Sequence, residues 1–236
     1  KSPKALTCNI VAFSSRGKMQ EFCTKHNVEC HMIKKSHSPR TSFVTYVYSL
    51  LKILKQLLPL TENDIVESIS VLEDTQKLIN SKNLSETNTS IILSQKISDI
   101  PLIYYPHGLE AAAIRFKSSL QENAKSHVII EDIIESCHNG IVAWEKPSLL
   151  HPILIQGSDD YFKTKERWQI LKKYFDENNI KYFDIFSTNG NILSKLIDLI
   201  YRLDYVTIYK AISSEIDPST IRSIDFVKNH LDSTLE

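Results

Sequence analysis

The sequence predicts an α/β fold in which parallel sheets are flanked by helices. Three observations lead there. Short apolar runs rich in β-branched residues alternate with segments of helical periodicity, the first of these runs opens a strand–helix–strand unit, and the alternation resumes after a polar stretch.

Residues 6–13 (LTCNIVAF) read as a strand running into the loop Ser14-Ser15-Arg16-Gly17. A helix over 18–26 follows, then a second strand over 28–33, which together make a βαβ unit. After Pro39, with Thr41 in its capping region, a helix is expected over 42–58, because Phe43, Val47, Leu50, Leu51 and Leu54 recur at helical spacing. Another is expected over 62–80. Residues 81–98 open with polar residues and are the expected linker, with the apolar Ile91–Leu93 able to extend into structure. Beyond it come a strand over 101–105 and a helix over 109–123 with Ala112, Phe116 and Leu120 on one face. A mostly helical stretch over 130–144, a buried-type strand over 152–156, a helix over 161–178 and a strand over 180–186 continue the pattern. Helices over 191–203, 204–213 and 218–231 close the chain, the last with Pro218 in its first turn. The expected division is therefore 1–80, a linker over 81–98, and 99–236.

The 236 residues carry 28 Lys+Arg against 28 Asp+Glu, a formal net charge of zero with no basic stripe, which argues against a nucleic-acid partner. No run approaches ~20 apolar residues, so no membrane span is expected. The start, Lys1-Ser2-Pro3-Lys4, lacks an apolar core and an initiator Met, so neither a secretory signal nor a complete chain is expected. Cys8, Cys23, Cys30 and Cys137 form no CxxC pair and no zinc spacing. They are expected to be reduced thiols, which places the protein in the cytoplasm. Only 5 residues are Gly, about 2% where roughly 7% is usual, and neither a P-loop nor GxGxxG occurs.

Taken singly, the candidate site residues have ordinary readings. Glu122 is a carboxylate at a helix end, His138 a lone histidine, Arg40 a loop cation, and Lys228 a cation near a helix C-terminus. They fall, however, inside an ordered series. It runs Val11-Ala12-Phe13-Ser14-Ser15-Arg16-Gly17-Lys18, Pro39-Arg40, Pro101-Leu102-Ile103-Tyr104, then Arg115-Phe116-Lys117 with Gln121-Glu122-Asn123-Ala124-Lys125. His138-Asn139, Asp204-Tyr205-Val206-Thr207-Ile208-Tyr209, Asp217-Pro218-Ser219 and Ile224-Asp225-Phe226-Val227-Lys228 complete it. This series resembles the bifunctional phosphoglucose/phosphomannose isomerase family of the sugar-isomerase (SIS) fold, whose patterns are "ITSGG", "PR", "P-x-IYG", "R-x-K-x-x-x-NENAK", "NHNE", "GDYVS-x-Y" and "DPT-x-x-x-x-I-x-x-LK".

The resemblance implies aldose–ketose isomerisation of glucose 6-phosphate or mannose 6-phosphate to fructose 6-phosphate through a cis-enediol. It assigns Glu122 as the base, His138 as the ring-opening residue given by a neighbouring subunit of a homodimer, Arg40 to the enediolate charge, and Lys228 to substrate oxygens. Ser14, Ser15 and Ser219 become substrate-binding residues, and no metal or other cofactor is required. A non-catalytic SIS-type module that binds sugar phosphates or only dimerises is the alternative. The family's "GGSG" and "S-x-SGNT-x-ET" phosphate segments do not occur in the 236 residues, so the first SIS subdomain is expected to be incomplete and the second complete. Arg16 stands where the family has Gly, Tyr105 replaces the Gly of "IYG", Gly140 the Glu of "NHNE", and Ser219 the Thr of "DPT".

Overall fold

The computed structural model of the protein describes residues 9–34 and 36–233, so residues 6–8 of the first expected strand, Cys8 among them, lie outside it. The chain forms two compact units, residues 1–60 and 61–236.

In the first unit β1 (Val11–Ser14), α1 (Lys18–His26) and β2 (Glu29–Met32) form the expected βαβ unit, with β1 and β2 parallel and Val11 opposite Glu29. Gly17 precedes α1 at φ +83°, a backbone region closed to most side chains, which explains a glycine in so glycine-poor a chain. A 3₁₀ turn (Pro39–Ser42) leads into α2 (Phe43–Leu54), shorter at both ends than the apolar periodicity suggests.

The second unit begins with α3 (Glu62–Ile79) and α4 (Thr89–Lys96). α4 lies within 81–98, the stretch expected to be a linker. It is nucleated by buried Asn88, whose side chain accepts from the Ser90 and Ile91 amides while donating to the Ile79 and Asn83 carbonyls. Then follow β3 (Ile100–Tyr105), α5 (Glu110–Asn123), β4 (Ile129–Asp132), α6 (Ile133–Ser136), a 3₁₀ segment (Gly140–Glu145), β5 (Leu150–Gln156), α7 (Phe162–Glu177), β6 (Phe183–Phe186), α8 (Ile192–Ser213) and α9 (Arg222–Ser233). The four strands make one parallel sheet in the order β4-β3-β5-β6.

Leu102, Tyr104 and Leu154 alternate onto one face and pack with Ile133 of α6, Trp144, and Trp168, Leu171 and Phe175 of α7. The Tyr104 hydroxyl, buried among them, accepts from Trp144 Nε1 at 2.9 Å, and burial holds its pKa well above the usual tyrosine range. Ile103, Ile153 and Ile155, of opposite parity, are fully buried on the other face. Burying each such side chain contributes about 1.5–3 kcal/mol. α8 packs against α3, α4 and α5.

Three further expectations are corrected. Residues 130–132, the start of the stretch expected to be mostly helical, belong instead to β4, because Ile129 and Ile130 align with Leu102 and Ile103 of β3 and Asp132 then caps α6. Residues 191–203 and 204–213 are one unbroken helix, since the Asp204 side chain is consumed by Arg115 and Ser119 and does not compete for its own backbone. α9 begins at Arg222 and not near Pro218, because the Asp217 carboxylate takes the Ser219 amide and hydroxyl into a turn. Among the described residues no helix is long and apolar enough to cross a membrane, and Cys23, Cys30 and Cys137 are free thiols.

Candidate functional site

Glu122 is the second-last residue of α5 and half-buried. The end of α5 is fixed against α8 by polar pairs. The Arg115 guanidinium holds the Asp204 carboxylate through Nε at 3.1 Å and Nη2 at 2.8 Å, Ser119 Oγ donates to the same carboxylate at 2.6 Å, and Asn123 Nδ2 donates to Thr207 Oγ1 at 2.8 Å. The chain then reverses at Lys125, φ +55°. Lys125 Nζ donates to the Glu122 carbonyl at 2.5 Å and to the Thr220 carbonyl at 2.7 Å, so one ammonium bridges the α5 terminus to the segment before α9.

Between these two segments opens a groove of about 670 Å³, walled by Gln121, Glu122 and Lys125 on one side and by Asp217, Thr220 and Arg222 on the other. Asp217 accepts from the Ser219 amide at 2.8 Å and hydroxyl at 2.6 Å. These bonds, with the Lys125 charge nearby, hold its carboxyl below the usual aspartate range. The Ser219 hydroxyl, expected to meet substrate, is thus engaged with Asp217. Lys228 is exposed on α9 and follows Ile224, a groove residue, by four positions, so the two share a helix face.

His138 lies elsewhere in the same unit. It is exposed and follows α6, beyond the C-terminal end of β4. β3 and β4 are parallel and α5 returns between them, so Glu122 sits where the strands begin and His138 where they end. α5 alone spans about 20 Å. The two residues, sixteen apart in sequence, are separated by a strand and not by a loop between helices.

In the first unit, Ser14 closes β1, is buried and donates to the Arg16 carbonyl at 3.1 Å, while Ser15 is half-buried in the following loop. Arg40 is half-buried in the 3₁₀ turn. Gly140, which replaces the expected Glu, abuts Glu131, and a Cβ at 140 would stand 2.8 Å from that carboxyl carbon. The half-buried Glu131 carboxyl has its pKa raised, by burial first and by Asp132 and Glu135 second.

The sequence reading gave no role to Lys125, Thr220 or Arg222. Lys125 belongs to the quoted Gln121–Lys125 motif, yet its significance is a left-handed turn and two bonds, one of them to a carbonyl 95 residues away.

Comparison with known proteins bears on this arrangement. The family model of the bacterial phospho-glucose isomerase C-terminal SIS domain matches residues 86–231. A bifunctional phosphoglucose/phosphomannose isomerase of Caldicellulosiruptor bescii is 29% identical over 238 residues, covering 97% of this chain and 70% of that protein. One from Aquifex aeolicus is 25% identical over 230 residues, covering 94% and 67%. Among solved structures, a glucose-6-phosphate isomerase like protein from Thermus thermophilus superimposes with a TM-score of 0.64 at 14% identity, covering 89% of this chain and 75% of that one. A hypothetical protein from the same organism gives 0.73 at 11% identity, covering 95% and 62%. The structural matches speak to the fold alone.

Proposed function

This chain belongs to the bacterial phospho-glucose isomerase C-terminal SIS domain family, and from that premise we propose that it serves a sugar-phosphate isomerase, interconverting glucose 6-phosphate or mannose 6-phosphate with fructose 6-phosphate, with Glu122 as the base. The observation that carries this reading is the placement of Glu122 on the wall of a groove whose other wall leads into the helix of Lys228. A volume of about 670 Å³ accommodates a hexose phosphate.

The chemistry asks for one carboxylate above C1 and C2, taking the C2 proton and returning it at C1, and for positive charge where the enediolate oxygen develops. Glu122 supplies the carboxylate. Lys125 holds the backbone of Glu122 and the facing wall at a fixed separation, so the base meets the substrate without a reorganisation cost. Lys228 reaches toward substrate oxygens from the face it shares with Ile224.

His138 opens the sugar ring and comes from a second copy of the chain. The opposed positions of Glu122 and His138 along the sheet support this, because one protomer cannot bring both to one hexose. The roles of Arg40 at the enediolate and of Ser14, Ser15 and Ser219 at substrate oxygens rest on the family resemblance alone.

The test is isomerisation in D₂O. Proton transfer through a solvent-exchanging base is expected to leave deuterium at C2 of glucose 6-phosphate or mannose 6-phosphate formed from fructose 6-phosphate. Failure to convert either sugar phosphate, or conversion without deuterium uptake, would contradict the reading and favour a module that only binds or dimerises.

A further inference from the structure

A second cavity lies at the other end of the same sheet. In the strand order β4-β3-β5-β6 the chain leaves β3 toward one edge and β5 toward the other, so the crevice beyond the C-terminal ends of β3 and β5 is a topological switch point, where open α/β sheets take their ligands. A cavity of about 270 Å³ opens there, between the loops after β3 and β5 and the start of α8. It shares no residue with the Glu122 groove.

Its floor is unusual. Lys195 lies in the first turns of α8 with only 10% of its side chain exposed, and a buried cation at a helix N-terminus opposes both desolvation and the helix dipole. Its ammonium is paired with Asp159, whose side chain is 68% exposed on the loop after β5. A second carboxylate, Asp160, is held in place by the Gly157 amide at 3.1 Å and Trp168 Nε1 at 3.0 Å. Ser158 Oγ donates to Asn189 Oδ1 at 2.7 Å, tying this loop to the one after β6. Tyr161 lines the opening with its ring largely exposed.

These groups select a ligand by charge. Even with the His107 of the lining charged, two carboxylates balance two cations, so a phosphate dianion is repelled by Asp159 and Asp160 and finds no net positive charge to hold it. An uncharged polyol meets none of that repulsion. Its hydroxyls find acceptors in Asp159 and Asp160 and a donor in Lys195, and the C–H face of a sugar ring can lie on Tyr161. The volume suits one monosaccharide.

We propose that this crevice is a binding site for an uncharged, hexose-sized polyol, separate from the Glu122 groove. The Asp159–Lys195 pair grips neighbouring hydroxyls, Asp160 accepts from a third, and Tyr161 supports the ring.

The experiment is a ¹⁵N–¹H NMR titration of the full chain with D-glucose, and in parallel with inorganic phosphate at constant ionic strength. D-Glucose is expected to shift the Gly108, Gly157 and Ile192 amides saturably, with a Kd of order 1 mM, while phosphate leaves them in place. Asp159→Asn and Tyr161→Ala, both at exposed positions, are each expected to weaken the binding about tenfold. The proposal is overturned if glucose gives no saturable shift, if its shifts are confined to Glu122, Lys125 and Thr220, if phosphate moves the crevice amides, or if both folded variants bind as the unaltered chain does.

Discussion

Arg115 and Asp204, 89 residues apart, form a two-pronged ion pair that fastens α5 to the middle of α8. Their side chains are 20% and 25% exposed, so the pair is largely shielded from solvent. Asp204→Asn keeps the shape but removes the charge that Arg115 and Ser119 both address. It is expected to cost about 1–3 kcal/mol, read as a lower urea midpoint with an unchanged slope. An unaltered midpoint would show that the pair does not stabilise the fold.

The Lys125 bridge is tested by its effect on the neighbouring backbone. Lys125→Met preserves the aliphatic stem and deletes both donors. Amide hydrogen exchange over residues 220–224 is expected to quicken about tenfold, the loss of one hydrogen bond's net worth, while exchange in α8 stays unchanged. Uniform quickening throughout the second unit would mean global destabilisation and no local clamp.

Glu131 gives a pH dependence of definite sign. Its folded pKa is raised, so the folded chain binds this proton more tightly than the unfolded chain does. The contribution favours folding below the ordinary glutamate range, about pH 4, and is lost as pH rises through the folded value. Glu131→Gln is therefore expected to raise Tm at neutral pH by about 2 °C or less, because solvent screening trims the effect. The gain should vanish near about pH 3.5. A gain of equal size at both pH values would exclude titration as its cause.

Subunit sharing of the site is tested by complementation. In a mixed dimer of Glu122→Gln and His138→Ala chains, one site holds both altered residues and the other holds neither, provided that His138 serves the partner's groove. Such a mixture is expected to regain about half the unaltered activity per heterodimer, whereas each variant alone stays impaired. No recovery would return His138 to its own protomer or remove it from the mechanism.

Much of the fold was legible in the sequence because its signals are local. The βαβ unit and β3, β5, α3, α5 and α7 declare themselves by apolar period and by length. The failures were places where a distant partner decides. Ile129–Asp132 is too short to show a period and is a strand only because β3 lies beside it. Asp204 looks like a helix boundary until Arg115 claims it. At the candidate site, Glu122 stood inside a readable motif, but the Lys125 bridge to Thr220 and the separation of Glu122 from His138 arise from tertiary geometry. The crevice of Asp159 and Lys195 had no linear signature at all.

The central claim, that Glu122 is the base, is tested most directly by kcat for glucose 6-phosphate and mannose 6-phosphate in Glu122→Gln, beside Glu135→Gln as the matched control. Glu135 is an exposed carboxylate three residues before His138. Glu122→Gln should lower kcat by about 10²–10⁴-fold with little change in KM, the usual worth of general-base catalysis, and Glu135→Gln by less than about tenfold. Activity abolished by Glu135→Gln and retained by Glu122→Gln would contradict the assignment.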